Sequence, residues 1–204
     1  MSLFAKAQNS FLANVVRFVF RVEIINRGSE PASGSYIVSG NHSSNYDPII
    51  LGASLTRPVR YMGKESLFKV PLLGRLIRAL GAYPVNREDP GVGPIRTSIN
   101  LLKDGELISV FPQGHRFDNN VPYDTAKLKS GIGMFVCTAE VGVLPVSIIT
   151  KGRRTGFFRR TRVVIGDFIP YEVFAGWPES NARYKEITEF VYKAITDNYE
   201  KYKF

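Results

Sequence analysis

His42 is the side chain in this sequence best suited to take up a proton near neutral pH, and Asp47 follows five positions later in the segment SGNHSSNYDPII. On a continuous helix that spacing turns the two side chains about 140° apart, at 3.6 residues per turn, so they would not share a face. Pro48 changes the reading. Proline suits the first helical turn and aspartate the N-cap, so a helix is expected to start at Asp47–Pro48 and to leave 40–46 as a strand-to-helix loop. A loop can bring a carboxylate against an imidazole. Taken alone, the pair is more often a loop histidine beside a helix cap.

Three cations change that balance. Lys64 follows the apolar run 59–62, Arg87 follows 82–85, and Arg116 follows 107–111. If these runs are parallel strands, His42 and the three cations project from the carboxyl edge of one sheet, where open α/β folds hold ligands. A single cation there is ordinarily a solvated charge, whereas four such positions describe an anion pocket with a base beside it. Phosphate is its natural occupant, because Arg offers oxygen a planar fork and Lys a point charge. In the adjoining FPQGHR segment, Gly114 permits close backbone approach to a ligand and Pro112 stiffens the entry, although a plain turn fits too. His115 is a second candidate base, with nothing at a short fixed spacing to orient it.

The elements that must position these residues are legible as an alternation. Strand-like runs occur at 36–38, 59–62, 82–85, 107–111, 143–149 and 162–168. Helical patterns at 71–80, 94–103 and 127–140 each stop before a glycine, and a final helix is expected over about 181–201. The pattern predicts an α/β domain with a largely parallel sheet flanked by helices. Residues 3–20 place Phe4, Phe11, Leu12, Val15, Phe18 and Val19 at helical spacing among Lys6, Asn14 and Arg17. Such an amphipathic helix packs on the domain or lies in a membrane interface, and one helix can do both. The expected division is thus an N-terminal amphipathic membrane-associating helix, 1–21, and a catalytic domain, 22–204.

Composition narrows the classes of function. The 204 residues carry 27 Lys plus Arg against 18 Asp plus Glu, a net charge of +9, on a chain that is 44% hydrophobic. That is too apolar for a disordered basic tail, so the excess sits on a folded surface that suits nucleic acid, acidic lipid, an acidic carrier protein or a phosphorylated substrate. The single cysteine, Cys137, forms no internal disulfide and reads as core in a reducing compartment. One Cys and two His match no common zinc spacing, so no metal is expected. No apolar run approaches the ~18 residues of a spanning helix, and Arg17 and Arg21 spoil a secretory signal. The segment KGRRTGFFRRTR sets Phe157 and Phe158 among cations between two strands. A hairpin is its frame, and either solvated charge or contact with an anionic bilayer its use.

Four ordered blocks together resemble the glycerolipid acyltransferases of the 1-acylglycerol-3-phosphate acyltransferase type. NHSSNYD at 41–47 is similar to the family's N-H-x-x-x-x-D block and GAYPVNR at 81–87 to its G-x-x-x-x-x-R block. FPQGHR at 111–116 resembles F-P-E-G-T-R, and LPVSI at 144–148 a short proline-containing strand. MGKESLFKVPLLG, 62–74, resembles the segment between the first two blocks, so the likeness covers about 22–170 in order. Gln113 and His115 depart from the family's Glu and Thr.

The resemblance implies transfer of a fatty acyl group from a thioester to a glycerol hydroxyl. In it His42 is the general base and Asp47 orients the imidazole, so no acyl-enzyme is needed. Lys64, Arg87 and Arg116 bind the acceptor phosphate, while Asn41, Gln113, Gly114 and His115 line the acceptor pocket. The implied acceptor is 1-acylglycerol 3-phosphate, giving phosphatidic acid; glycerol 3-phosphate or another lysolipid is the alternative. No cofactor is implied beyond the co-substrate, acyl-CoA or acyl carrier protein. The implied setting is peripheral, on the cytoplasmic face of a membrane, with Phe157 and Phe158 touching an anionic bilayer. A basic nucleic-acid-binding module is the competing class. It leaves the His42–Asp47 block unexplained, so nucleic acid is not an expected partner.

Overall fold

The apolar runs become strands of one seven-stranded sheet, seen in a computed structural model that describes residues 11–85, 92–117, 127–152 and 154–204. Across the sheet the order is β1 (Val22–Ile25), β7 (Thr161–Ile165), β6 (Gly142–Thr150), β2 (Tyr36–Gly40), β5 (Leu107–Val110), β3 (Val59–Lys64) and β4 (Ala82–Val85). Every neighbouring pair is parallel except β6 and β7, which form an antiparallel hairpin. Strands β2, β5 and β6 are buried throughout, as expected of strands covered on both faces.

Helices α1 (Phe11–Val19) and α2 (Asp47–Ser54) cover one face, where Phe20, Ile50, Leu51 and Leu55 pack on Val38, Leu144 and Val146. The short α3 (Glu65–Phe68) and α4 (Pro71–Ala79) connect β3 to β4. The other face is covered by α5 (Val92–Lys103), α6 (Gly131–Ala139) and α8 (Arg183–Tyr202), whose Leu102, Ile132, Val136, Ile187 and Val191 meet Ile37, Ile108 and Val143. A short α7 (Glu172–Ala175) precedes α8. Gly133 lets α6 and α8 meet backbone to backbone: a Cβ there would lie 2.1 Å from the Tyr184 carbonyl oxygen. The Gly133 N–H donates to Thr188 Oγ1 at 3.1 Å, which seats α8 and, one turn on, Tyr192.

The α/β alternation is as read, with local corrections. Strand β1 was not foreseen. The helix expected from 127 starts at Gly131, and it ends where Glu140 takes a left-handed conformation, φ 54°, while Gly142 opens β6. The last strand stops at Ile165, where the Gly166 N–H turns to the Pro145 carbonyl at 2.8 Å. Cys137 is half-buried rather than core, and burial pushes its thiol pKa up. Of the expected N-terminal helix, 11–19 are helical and 1–10 lie outside the described residues. Phe20 is in the core at its end, whereas Phe11 and Phe18 are 84% and 76% exposed. No described helix is long and apolar enough to cross a membrane.

Candidate active site

The connection that leaves β2 packs α2 on one face of the sheet and the one that leaves β5 packs α6 on the other, so the chain diverges to opposite faces at the carboxyl ends of these neighbouring strands. Such a divergence opens a crevice at the sheet edge. His42 lies there, two residues beyond Gly40, 7% exposed in all. Its ring stacks on Phe111 with centroids 4.3 Å apart and planes 20° from parallel.

Asp47 begins α2 but does not cap it, because its carboxylate turns back into the loop. Oδ2 accepts the backbone N–H groups of Ser43 at 2.6 Å and Ser44 at 2.7 Å, and lies 3.0 Å from His42 Nδ1. Oδ1 accepts the Thr155 hydroxyl at 2.9 Å. With no solvent exposure and four donors, the carboxylate is fixed. The pairing assigns the Nδ1 proton to the bond with Asp47 and leaves the Nε2 lone pair for substrate, the tautomer a general base needs.

The backbone of His42 is held as firmly as its ring. Its N–H donates to Gln113 Oε1 at 2.7 Å, and its carbonyl accepts the Phe117 N–H at 3.1 Å, so the 111–117 loop grips both peptide groups. The Gln113 amide in turn donates to the Tyr192 hydroxyl at 3.4 Å. Gly114, φ +70°, supplies the left-handed residue that turns this loop, its N–H donating to the Phe111 carbonyl at 3.0 Å.

Asn41 and Gln113 were expected to line the acceptor pocket, yet both are buried. The Asn41 amide bonds Ile148 both ways, donating to its carbonyl at 2.9 Å and accepting its N–H at 2.7 Å, and so extends the β2–β6 pairing by one residue. Gly114, His115 and Arg116 are exposed, with the His115 ring stacked on Phe117 at 4.7 Å. Lys64 is exposed at the end of β3, the neighbour of β5, and Arg116 is exposed in the loop that follows β5. Arg87 lies outside the described residues. Among the described residues no cluster of three His, Cys, Asp or Glu suits a metal.

One side of the crevice is closed by the hairpin between β6 and β7. Phe157 stacks on Phe20 at 5.3 Å and meets the Tyr46 ring at a tilt, with centroids 5.1 Å apart, and the Phe158 N–H donates to the Val19 carbonyl at 2.7 Å. Hairpin and N-terminal helix are therefore one surface, with Phe157 58% and Phe158 65% exposed. Thr155, Ser43, Ser44, Phe111 and Tyr192 escaped the sequence reading. The three hydroxyl residues sit in polar loops like any others, and only proximity in space reveals them.

A buried base with an orienting carboxylate at the carboxyl edge of the sheet, with exposed Lys64 and Arg116 on neighbouring segments, can move a group onto a substrate hydroxyl. The profile of the acyltransferase family matches residues 21–149. The 1-acyl-sn-glycerol-3-phosphate acyltransferase of Bacillus subtilis (strain 168) is 32% identical over 197 residues, 92% of this chain and 94% of that protein. The enzyme of the same name from Streptococcus pneumoniae (strain ATCC BAA-255 / R6) is 34% identical over 133 residues, 63% of this chain, which spans 47% of that longer protein. In fold, the chain is similar to the crystal structure of the 1-acyl-sn-glycerophosphate acyltransferase of Thermotoga maritima. Their TM-score is 0.71 at 23% identity, over 96% of this chain and 81% of that one. The chain belongs to the acyltransferase family, within its 1-acylglycerol-3-phosphate acyltransferases.

Proposed function

We propose that the protein transfers a fatty acyl group from an acyl thioester to the free hydroxyl of 1-acylglycerol 3-phosphate, giving phosphatidic acid. The observation that carries this reading is the buried His42 Nδ1 to Asp47 Oδ2 contact of 3.0 Å at the diverging sheet edge. Nε2 takes the proton as the substrate oxygen attacks the thioester carbonyl. The tetrahedral adduct collapses, the C–S bond breaks, and the thiolate leaves as the free thiol with the proton His42 returns. Asp47 holds the ring and stabilises the transient imidazolium. Arg116 and Lys64, with Arg87, bind the acceptor phosphate, which aligns the hydroxyl with Nε2 and supplies several kcal/mol of positioning.

The enzyme works peripherally at the cytoplasmic face of a membrane, with acyl-CoA or acyl carrier protein as co-substrate and no cofactor or nucleic-acid partner. Exposed Phe11, Phe18, Phe157 and Phe158 and the cations of the hairpin support docking on an anionic bilayer. A product that stays in the bilayer requires that geometry. Purified protein supplied with an acyl thioester and an acceptor panel tests the reading, with free thiol and lipid product followed together. Acceptor-dependent thiol release with equimolar phosphatidic acid is expected; thiol release only with glycerol 3-phosphate or a neutral lysolipid would reassign the acceptor.

A further inference from the structure

The hairpin between β6 and β7 does more than present aromatics to solvent. Thr155 turns inward from it, is buried, and reaches the one Asp47 oxygen that the His42 loop leaves unengaged. A hydroxyl has a single proton to give. With that proton on Asp47 Oδ1, the Thr150 hydroxyl at 3.3 Å and the Ser43 hydroxyl at 3.5 Å face the Thr155 oxygen as donors. A short run of hydroxyls, from Thr150 and Ser43 to Thr155, thus ends on the carboxylate. The same hairpin is pinned from outside by Phe157, stacked on Phe20 and in tilted contact with Tyr46, the residue just before Asp47.

We propose that Thr155 is a positioning residue for acyl transfer, holding Asp47 in the rotation that presents His42 Nε2, and that the seated hairpin thereby completes the site. Without the hydroxyl, Oδ1 is an unsatisfied buried acceptor, and rotation of the carboxylate about its Cβ–Cγ bond is opposed only by the three donors on Oδ2. Rotation carries Oδ2 away from Nδ1, so the loss falls on the transition state rather than on substrate binding. The proposal rests on the acyl-transfer reading, and its test separates the two.

The test uses the full chain with a short-chain, water-soluble acyl thioester and a short-chain lysophosphatidate, so that bilayer docking does not enter. Thr155→Val keeps the shape and removes only the hydroxyl. Its kcat is expected to fall about ten- to a hundredfold, the scale of one hydrogen bond to a charged group, with both KM values within about twofold. Thr155→Ser restores the donor and is expected within about threefold of wild type. Thr150→Val removes a donor to the Thr155 oxygen without touching Asp47, and is expected to lower kcat less than Thr155→Val does. Phe157→Ala, which unpins the hairpin from Tyr46, is expected to lower kcat in the same sense as Thr155→Val.

Unchanged kcat in Thr155→Val would overturn the proposal. So would a Thr155→Ser variant as poor as Thr155→Val, an equal loss in Thr150→Val, or a loss confined to KM. Where Thr155→Val does not fold, the comparison of Thr155→Ser with Thr150→Val decides by the same criteria. A wild-type protein that consumes no thioester would overturn the acyl-transfer reading and this proposal with it, whereas an active wild type with an indifferent Thr155→Val overturns this proposal alone.

Discussion

Gln113 accepts the backbone N–H of His42 on Oε1 at 2.7 Å, although 71 residues separate them in the chain. The contact sets the height of the imidazole above the edge between β2 and β5, and it needs an acceptor rather than a charge. Gln113→Ala is expected to leave a buried N–H unpaired, costing about 1–3 kcal/mol of stability. Denaturant unfolding measures that loss, and kcat should fall with it. Gln113→Glu keeps the acceptor and is expected to retain more turnover than Gln113→Ala; the reverse order would show that the bond to His42 is not what matters.

Arg116 is exposed in the loop that follows β5. Removing a phosphate ligand weakens binding of acceptors that carry phosphate and spares those that do not. Arg116→Ala is therefore expected to raise KM for 1-acylglycerol 3-phosphate about tenfold, with the KM of the acyl donor unchanged. Equal effects on a neutral lysolipid would show that Arg116 is not a phosphate ligand.

Phe157 and Phe158 are exposed beside an N-terminal helix that itself exposes Phe11 and Phe18. Replacing all four by Ser is expected to release the protein from anionic vesicles in flotation, and each single replacement to weaken binding. Binding should also weaken with salt, because the cations contribute through screened attraction. Unchanged flotation of the fourfold variant would place the membrane contact elsewhere.

Gly133 sits where α6 and α8 touch. A Cβ there would lie 2.1 Å from a Tyr184 backbone oxygen, and neither helix yields without dragging its apolar face off the sheet. Gly133→Ala is expected to cost about 3 kcal/mol or more in thermal or denaturant unfolding. A change within about 0.5 kcal/mol would show that the two helices separate freely.

Much of this architecture was readable because buried parallel strands are continuous apolar runs and their helices alternate with them. The strand ends were legible in the same way, with His42 just past β2 and Lys64 closing β3. Strand β1 was missed because its four residues, VEII, pair with β7 some 139 positions away and carry no signal of their own. Asp47 was legible as a partner for His42, but Pro48 also suggested a cap; the loop resolves this by spending the carboxylate on Ser43, Ser44 and Thr155. Gln113 and Asn41 were assigned to the pocket by their place in the motifs. Their side chains instead satisfy backbone groups of His42 and Ile148, a role visible only when strands from distant segments are side by side.

The central claim is that His42 takes the proton from the acceptor hydroxyl. The direct measurement is initial thiol release from an acyl thioester with saturating 1-acylglycerol 3-phosphate, comparing wild type with a folded His42→Ala protein. General-base catalysis predicts a fall of about a thousandfold in kcat for His42→Ala, whereas Asp47→Asn, which keeps the imidazole but removes its orienting charge, leaves a small residue of activity. Turnover by His42→Ala within tenfold of wild type, at unchanged thermal stability, would contradict it.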